Sequence, residues 1–132
     1  MPEFPPDFLH KLGLRPGRRL RLLRAPGTWA NALSRLTPIN GRTVKADIIL
    51  VWLQPKDDLR AVFDALEARI PPDGAIWAVI PKKSALQRGE PAVEWALMQA
   101  AGLASGRLVD NKELRFDDRY YGTRFVVRKE RR

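Results

Sequence analysis

Two stretches constrain the fold of this chain more than anything else in it. Residues 47–53 (DIILVWL) and 75–80 (AIWAVI) are nearly continuous runs of aliphatic and aromatic residues, followed closely by Pro55 and Pro81. Strands buried on both faces read this way, because neither face tolerates polar groups, and such strands sit centrally in parallel sheets. Between them, over 56–69, Leu59, Val62, Phe63, Leu66 and Ile70 recur at helical spacing, with Asp57 and Asp58 at the helix's positive end. Pro71-Pro72-Asp73-Gly74 then makes a strong turn. A strand, a helix and a strand in that order form a βαβ unit, whose sheet needs helices on its faces.

The flanking segments extend this unit. Residues 1–10 hold several prolines and read as a loosely ordered lead, with a short helical turn near 8–12. Gly13 and Pro16-Gly17 precede a strand over 18–24, in which Leu20 and Leu22 alternate with Arg19 and Arg21. Alternation marks one wet face or an open edge, so this strand belongs near a sheet edge. Thr28 is a candidate N-cap for a helix over 29–36 with Trp29, Ala32, Leu33 and Leu36 on one side. Residues 42–45 could add a short extended piece. Pro91 suits the first turn of a helix over 92–101 that Gly102 would end. Residues 107–116 and 119–128 read as an antiparallel hairpin across Asp117-Asp118. The expected fold is therefore an α/β three-layer sandwich with a mainly parallel sheet (18–24, 47–53, 75–80) and a C-terminal antiparallel hairpin. It makes one domain over 11–128, with 129–132 as a basic tail.

Composition removes whole classes of chemistry. The chain has no cysteine and one histidine, His10, so disulfides, thiolate catalysis, cysteine-held zinc and histidine clusters are excluded. No P-loop, catalytic triad or G-x-S-x-G elbow is present, and no catalytic residue or metal site is expected. The start of the chain lacks a basic-then-apolar secretory layout, and no apolar run spans a bilayer, which points to the cytoplasm and away from membranes.

The net charge of +9 is concentrated. Lys11, Arg15, Arg18, Arg19, Arg21 and Arg24 occur within 11–24 without an acid, and Arg128, Lys129, Arg131 and Arg132 close the chain around a single glutamate. The remainder is balanced. Such segments are either solvated basic ends or a footprint for an anionic partner.

The order of segments resembles the class I S-adenosylmethionine-dependent methyltransferases. LGLRPGRRLRLL resembles the lead into their first strand, ADIILVWL their strand that begins with Asp, and IPPDGAIWAVIPK their Pro-Gly-Gly turn and next strand. The chain also resembles, more closely, an uncharacterised small bacterial family. The shared features are Pro16-Gly17, Ala25-Pro26, Pro81-Lys82-Lys83-Ser84 and FDDRYYGTRFVVR at 116–128. That family brings no established activity. The methyltransferase resemblance implies a Rossmann-like core, with an acidic residue and a glycine-rich loop after the first strand for the cofactor. In this chain Leu22 stands near the acidic position, Arg24 and Pro26 stand near the first two glycines, and only Gly27 remains. The second strand and its ribose-binding acid have shrunk or vanished within 37–46. No cofactor is expected, and a non-catalytic binding or regulatory module is the leading reading.

Ligands of parallel sheets bind beyond the carboxyl ends of the strands. Three loops meet there and offer Arg24, Gly27, Thr28, Lys82, Lys83 and Ser84 to an anionic small molecule, which makes an enzyme or a nucleotide-binding protein the alternative function; plain solvated loops are the competing reading. Asp117 and Asp118 look like a turn pair sharing one aqueous environment rather than an acid–base dyad, with Tyr120 and Tyr121 packed on the sheet. Trp29, Trp52, Trp77 and Trp95 fall on core-facing positions. Nucleic acid is the alternative partner, through Lys11, Arg15, Arg18, Arg19, Arg128, Lys129, Arg131 and Arg132. The antiparallel last strand should bring both basic segments to the amino edge of the sheet, opposite the ligand loops. An exposed edge strand would also permit a homodimer.

Overall fold

The computed structural model describes residues 7–36 and 45–132. Five strands form one sheet in the order β1-β2-β3-β5-β4. They are β1 (Leu20–Leu23), β2 (Ile48–Trp52), β3 (Ala75–Pro81), β4 (Leu108–Arg115) and β5 (Tyr120–Val127). β1, β2 and β3 are parallel, while β5 runs antiparallel to both β3 and β4. The two apolar runs are the central strands β2 and β3, and every residue of β2 is buried. β1, whose leucines alternate with arginines, is an edge.

Period-two alternation along the strands divides the core between two faces. Ile48, Leu50, Trp52, Trp77 and Val79 face α1 (Phe8–Leu12) and α2 (Gly27–Leu36), which contribute Phe8, Leu12, Trp29 and Leu33. Ile49, Val51, Leu53, Ile76, Ala78 and Ile80 face α3 (Leu59–Glu67) and α4 (Trp95–Leu103), which contribute Phe63, Leu66 and Met98. Three layers result. The short helical turn in the N-terminal lead is therefore structural, since Phe8 and Leu12 are fully buried.

Several boundaries differ from expectation for identifiable reasons. α3 starts at Leu59 rather than near residue 56, because the Asp58 side chain caps it, accepting from the Ala61 N–H at 3.1 Å. α2 starts at Gly27, so Thr28 lies inside its first turn rather than capping it. α4 starts at Trp95, leaving Pro91 before the helix, and runs through Gly102 instead of ending there. Gly102 is in the helix because α4 lies against β5 at that point. A Cβ there would stand 2.8 Å from Phe125 Cδ2 and Cζ. The extended piece at 42–45 and the shrunken second strand at 37–46 fall mainly outside the described residues.

The connections carry a topological signature. β1 to β2 and β2 to β3 are parallel steps in the same direction across the sheet. Yet α2 packs on one face and α3 on the other.

Candidate functional site

A cleft of about 200 Å³ opens at the carboxyl ends of β2 and β3, where Arg24, Trp52, Gln54, Glu90, Arg119 and Tyr120 are among its lining residues. Its charged groups are paired with one another. Arg24 follows β1 with a φ of +59°, an uncommon conformation for a residue with a side chain. Its guanidinium forks onto Asp57, Nη1 to Oδ1 at 2.7 Å and Nη2 to Oδ2 at 2.9 Å. Asp57 Oδ2 also accepts the Gln54 N–H at 2.7 Å. Burial pushes the Asp57 carboxyl up, but the Arg24 fork and the Gln54 N–H outweigh it and hold the group below its ordinary value. On the other wall, Arg119 Nη2 donates to Glu90 Oε2 at 2.6 Å, and the Gln87 N–H donates to Glu90 Oε1 at 3.0 Å. Those two donors, Gln87 first, lower the Glu90 pKa.

The floor is aromatic. Trp52 is 4% exposed and meets Phe116 and Tyr120 edge to face, with ring centroids 5.8 and 6.4 Å apart. Its Nε1 is buried without a hydrogen-bond partner. Beside it, Asp117 holds the β4–β5 turn together. Asp117 Oδ1 accepts from the backbone N–H groups of Arg119 at 2.8 Å and Tyr120 at 2.7 Å, while Oδ2 accepts from Trp29 Nε1 at 2.7 Å. Asp118 is wholly exposed and, among the described residues, pairs only with Arg115. The two aspartates therefore do not share an environment. The first is a pin between α2 and the hairpin; the second faces water.

Of the residues expected to hold an anion here, only Arg24 lines the cleft. Gly27 and Thr28 are exposed in the first turn of α2. The Lys82 N–H donates to the Arg119 carbonyl at 2.7 Å, and Lys83 and Ser84 are exposed in a short 3-10 turn. Glu90, Arg119 and Tyr120 complete the lining instead, with Asp57 as the partner of Arg24. Asp57 had a visible signal, its place just after a buried strand, where it reads equally well as a helix-dipole acid. Among the described residues, no group of three metal-ligating side chains comes together and no helix is long and apolar enough to cross a membrane.

A second cleft, of about 180 Å³, lies at the opposite edge, at the amino ends of β2 and β3. It is lined by Arg15, Arg18, Arg124 and Arg132 with Asn111 and Asp73. The two basic segments of the sequence thus meet on the edge where the topology places them. Lys11 and Arg19 are engaged locally, with Asp7 at 3.0 Å and Asp47 at 3.3 Å.

The parallel β1-β2-β3 core, the antiparallel β5-β4 pair and the helix layers have counterparts among solved structures. A protein assigned as a type 11 methyltransferase from Sulfolobus solfataricus superposes with a TM-score of 0.67 at 12% identity, covering 92% of this chain and 89% of that one. The chain has a methyltransferase-like fold. Precorrin-6y C5,15-methyltransferase from Geobacter metallireducens GS-15 gives 0.54 at 12% identity, covering 91% of this chain and 85% of that one. An N-methyltransferase from Bradyrhizobium japonicum WM9 gives 0.53 at 13% identity, covering 83% and 84%. At such identities the methyltransferase likeness concerns the fold alone. No protein-family model matches the sequence, and no curated protein matches it.

Proposed function

We propose that this chain is a non-catalytic binding module that keeps the methyltransferase-like scaffold without the cofactor site. The observation that carries this reading is Arg24. Its left-handed backbone is one that glycine adopts freely. It stands near the position where the methyltransferases that the chain resembles place the first glycine of their cofactor loop. The turn is retained, but a long side chain leaves it and bridges the loops after β1 and β2 to Asp57.

A nucleotide-type cofactor requires open space and close backbone approach at that turn. Here the turn carries a guanidinium paired with Asp57. Displacing Arg24 would strip Asp57, whose side chain is only 13% exposed, of its counter-ion. The remaining cleft of about 200 Å³ is also smaller than the roughly 300–1,000 Å³ of ordinary small-molecule pockets. S-adenosylmethionine does not fit the residues present.

Isothermal titration calorimetry with S-adenosylmethionine and S-adenosylhomocysteine tests this directly. The expected result is no binding heat up to millimolar ligand. A dissociation constant in the micromolar range for either compound would overturn the reading.

A further inference from the structure

We propose that the cleft at the amino edge of the sheet binds phosphate groups, and that its occupant is the phosphodiester backbone of a nucleic acid. The proposal is independent of whether the carboxyl-end cleft transfers methyl groups. It rests on how the arginines are brought together and held.

Arg15 and Arg18 come from the loop before β1, Arg124 from the middle of β5, and Arg132 from beyond the last strand, and all line one cleft. Side chains from such distant segments meet only because β5 runs antiparallel to β3. Val126 pairs with Ala75, the first residue of β3, so the end of β5 reaches the start of the parallel strands. The cleft includes one carboxylate, Asp73, which is largely exposed and sits a loose 3.6 Å from Arg18. Among the described residues no carboxylate pairs with Arg15, Arg124 or Arg132. The charge in this cleft is thus mostly uncompensated, unlike that at the carboxyl edge.

Arg124 is the built part of the site. It lies opposite Trp77 on the sheet face covered by α1 and is half-buried. Burial lowers its pKa, and it remains a cation at any ordinary pH. The β4–β5 register shifts between Asp110 and Lys112, which makes Asn111 the extra residue of a β-bulge. Bulges re-aim side chains. Here Asn111 Oδ1 accepts from Arg124 Nε at 2.9 Å, so a neutral amide orients the guanidinium and leaves its charge available. Arg132 is held as well, its Nε donating to the Val127 carbonyl at 2.9 Å. A guanidinium fork matches phosphate geometry.

Further bases lie in the sequence between β5 and Arg132. Arg128, Lys129 and Arg131 follow β5, the last two in a short 3-10 turn, and none pairs with a carboxylate among the described residues. Four arginines in one cleft, with three more bases on the adjoining chain segment, suit a chain of phosphates better than a single one.

Fluorescence anisotropy with labelled mixed-sequence single-stranded DNA and RNA tests the proposal on the full chain. With three or four phosphate contacts, affinity should fall roughly 20- to 50-fold between about 50 and 200 mM salt. Arg15→Gln and Arg124→Gln should each weaken binding and reduce the salt slope by about one. The double variant Lys82→Gln/Lys83→Gln, at the opposite edge, should change neither. Arg15 is exposed, so its variant keeps the test valid if Arg124→Gln fails to fold. Tripolyphosphate provides the second arm. Binding of tripolyphosphate without oligonucleotide binding would uphold the phosphate site and overturn the nucleic-acid occupant. Failure of both probes to bind at low salt, or an equal loss in the Lys82/Lys83 variant, would overturn the whole proposal.

Discussion

Replacing Asp117 with alanine should be among the most damaging single changes to a partly exposed side chain in this protein. The carboxylate accepts three hydrogen bonds, from the backbone of Arg119 and Tyr120 and from the indole of Trp29. Trp29 is 1% exposed, so its N–H cannot simply exchange Asp117 for bulk water. Each turn hydrogen bond contributes about 1 kcal/mol, and the loss at a buried donor costs about 1–3 kcal/mol. The expected destabilisation is about 3–5 kcal/mol, a large share of the roughly 5–15 kcal/mol that holds a domain folded. For a chain of 132 residues that corresponds to a Tm lower by about 10–18 °C. Asp117→Asn should fall in between, at about 2 kcal/mol, since one carbonyl oxygen cannot serve both the turn and the indole. Asp118→Ala, on the adjacent exposed residue, should leave the melting curve unchanged. Thermal and urea unfolding followed by circular dichroism would measure all three. If Asp117→Ala lies within about 1 kcal/mol of wild type, the idea that this residue pins α2 to the hairpin is wrong.

Gly102→Ala should destabilise the protein by about 1–3 kcal/mol in urea unfolding. The gain in helix propensity, about 1 kcal/mol, is outweighed by the clash of the new Cβ with the Phe125 ring. Arg24→Gln should alter the acid limb of the stability curve. Asp57 has a folded pKa held below 3.8, so the folded state gains from its ionisation above that value and loses the gain as pH falls through the depressed pKa. Without Arg24, chemical denaturation at a series of pH values should show lower stability at neutral pH and a shallower loss below about pH 4.

Local pattern was enough for the elements whose burial is uniform. A strand apolar on both faces leaves its mark on every residue, as in IILVW and AIWAVI, and both are central. Alternation of Leu20 and Leu22 with Arg19 and Arg21 was likewise enough to place β1 at an edge, and the antiparallel last strand to bring both basic segments to one side. Residues whose roles depend on a distant partner carried no comparable signal. Arg24 reads as an anion ligand until Asp57, 33 residues away, is seen to hold it. Asp117 and Asp118 look equivalent until Trp29, 88 residues away, is found over only one of them. Arg124 looks like any strand arginine until the bulge residue Asn111 is seen to hold its guanidinium in the cleft that Arg15 and Arg18 also line.

Composition and periodicity alone establish an α/β chain with two buried parallel strands, an amphipathic cover, no cysteine and no histidine cluster, because these follow from residue type and spacing. Which charges are spent on one another and which stay open to a ligand follows from distances of a few ångströms between remote segments. Ion pairing is short-ranged and geometric, so folding neutralised the carboxyl-end cleft and left the amino edge charged.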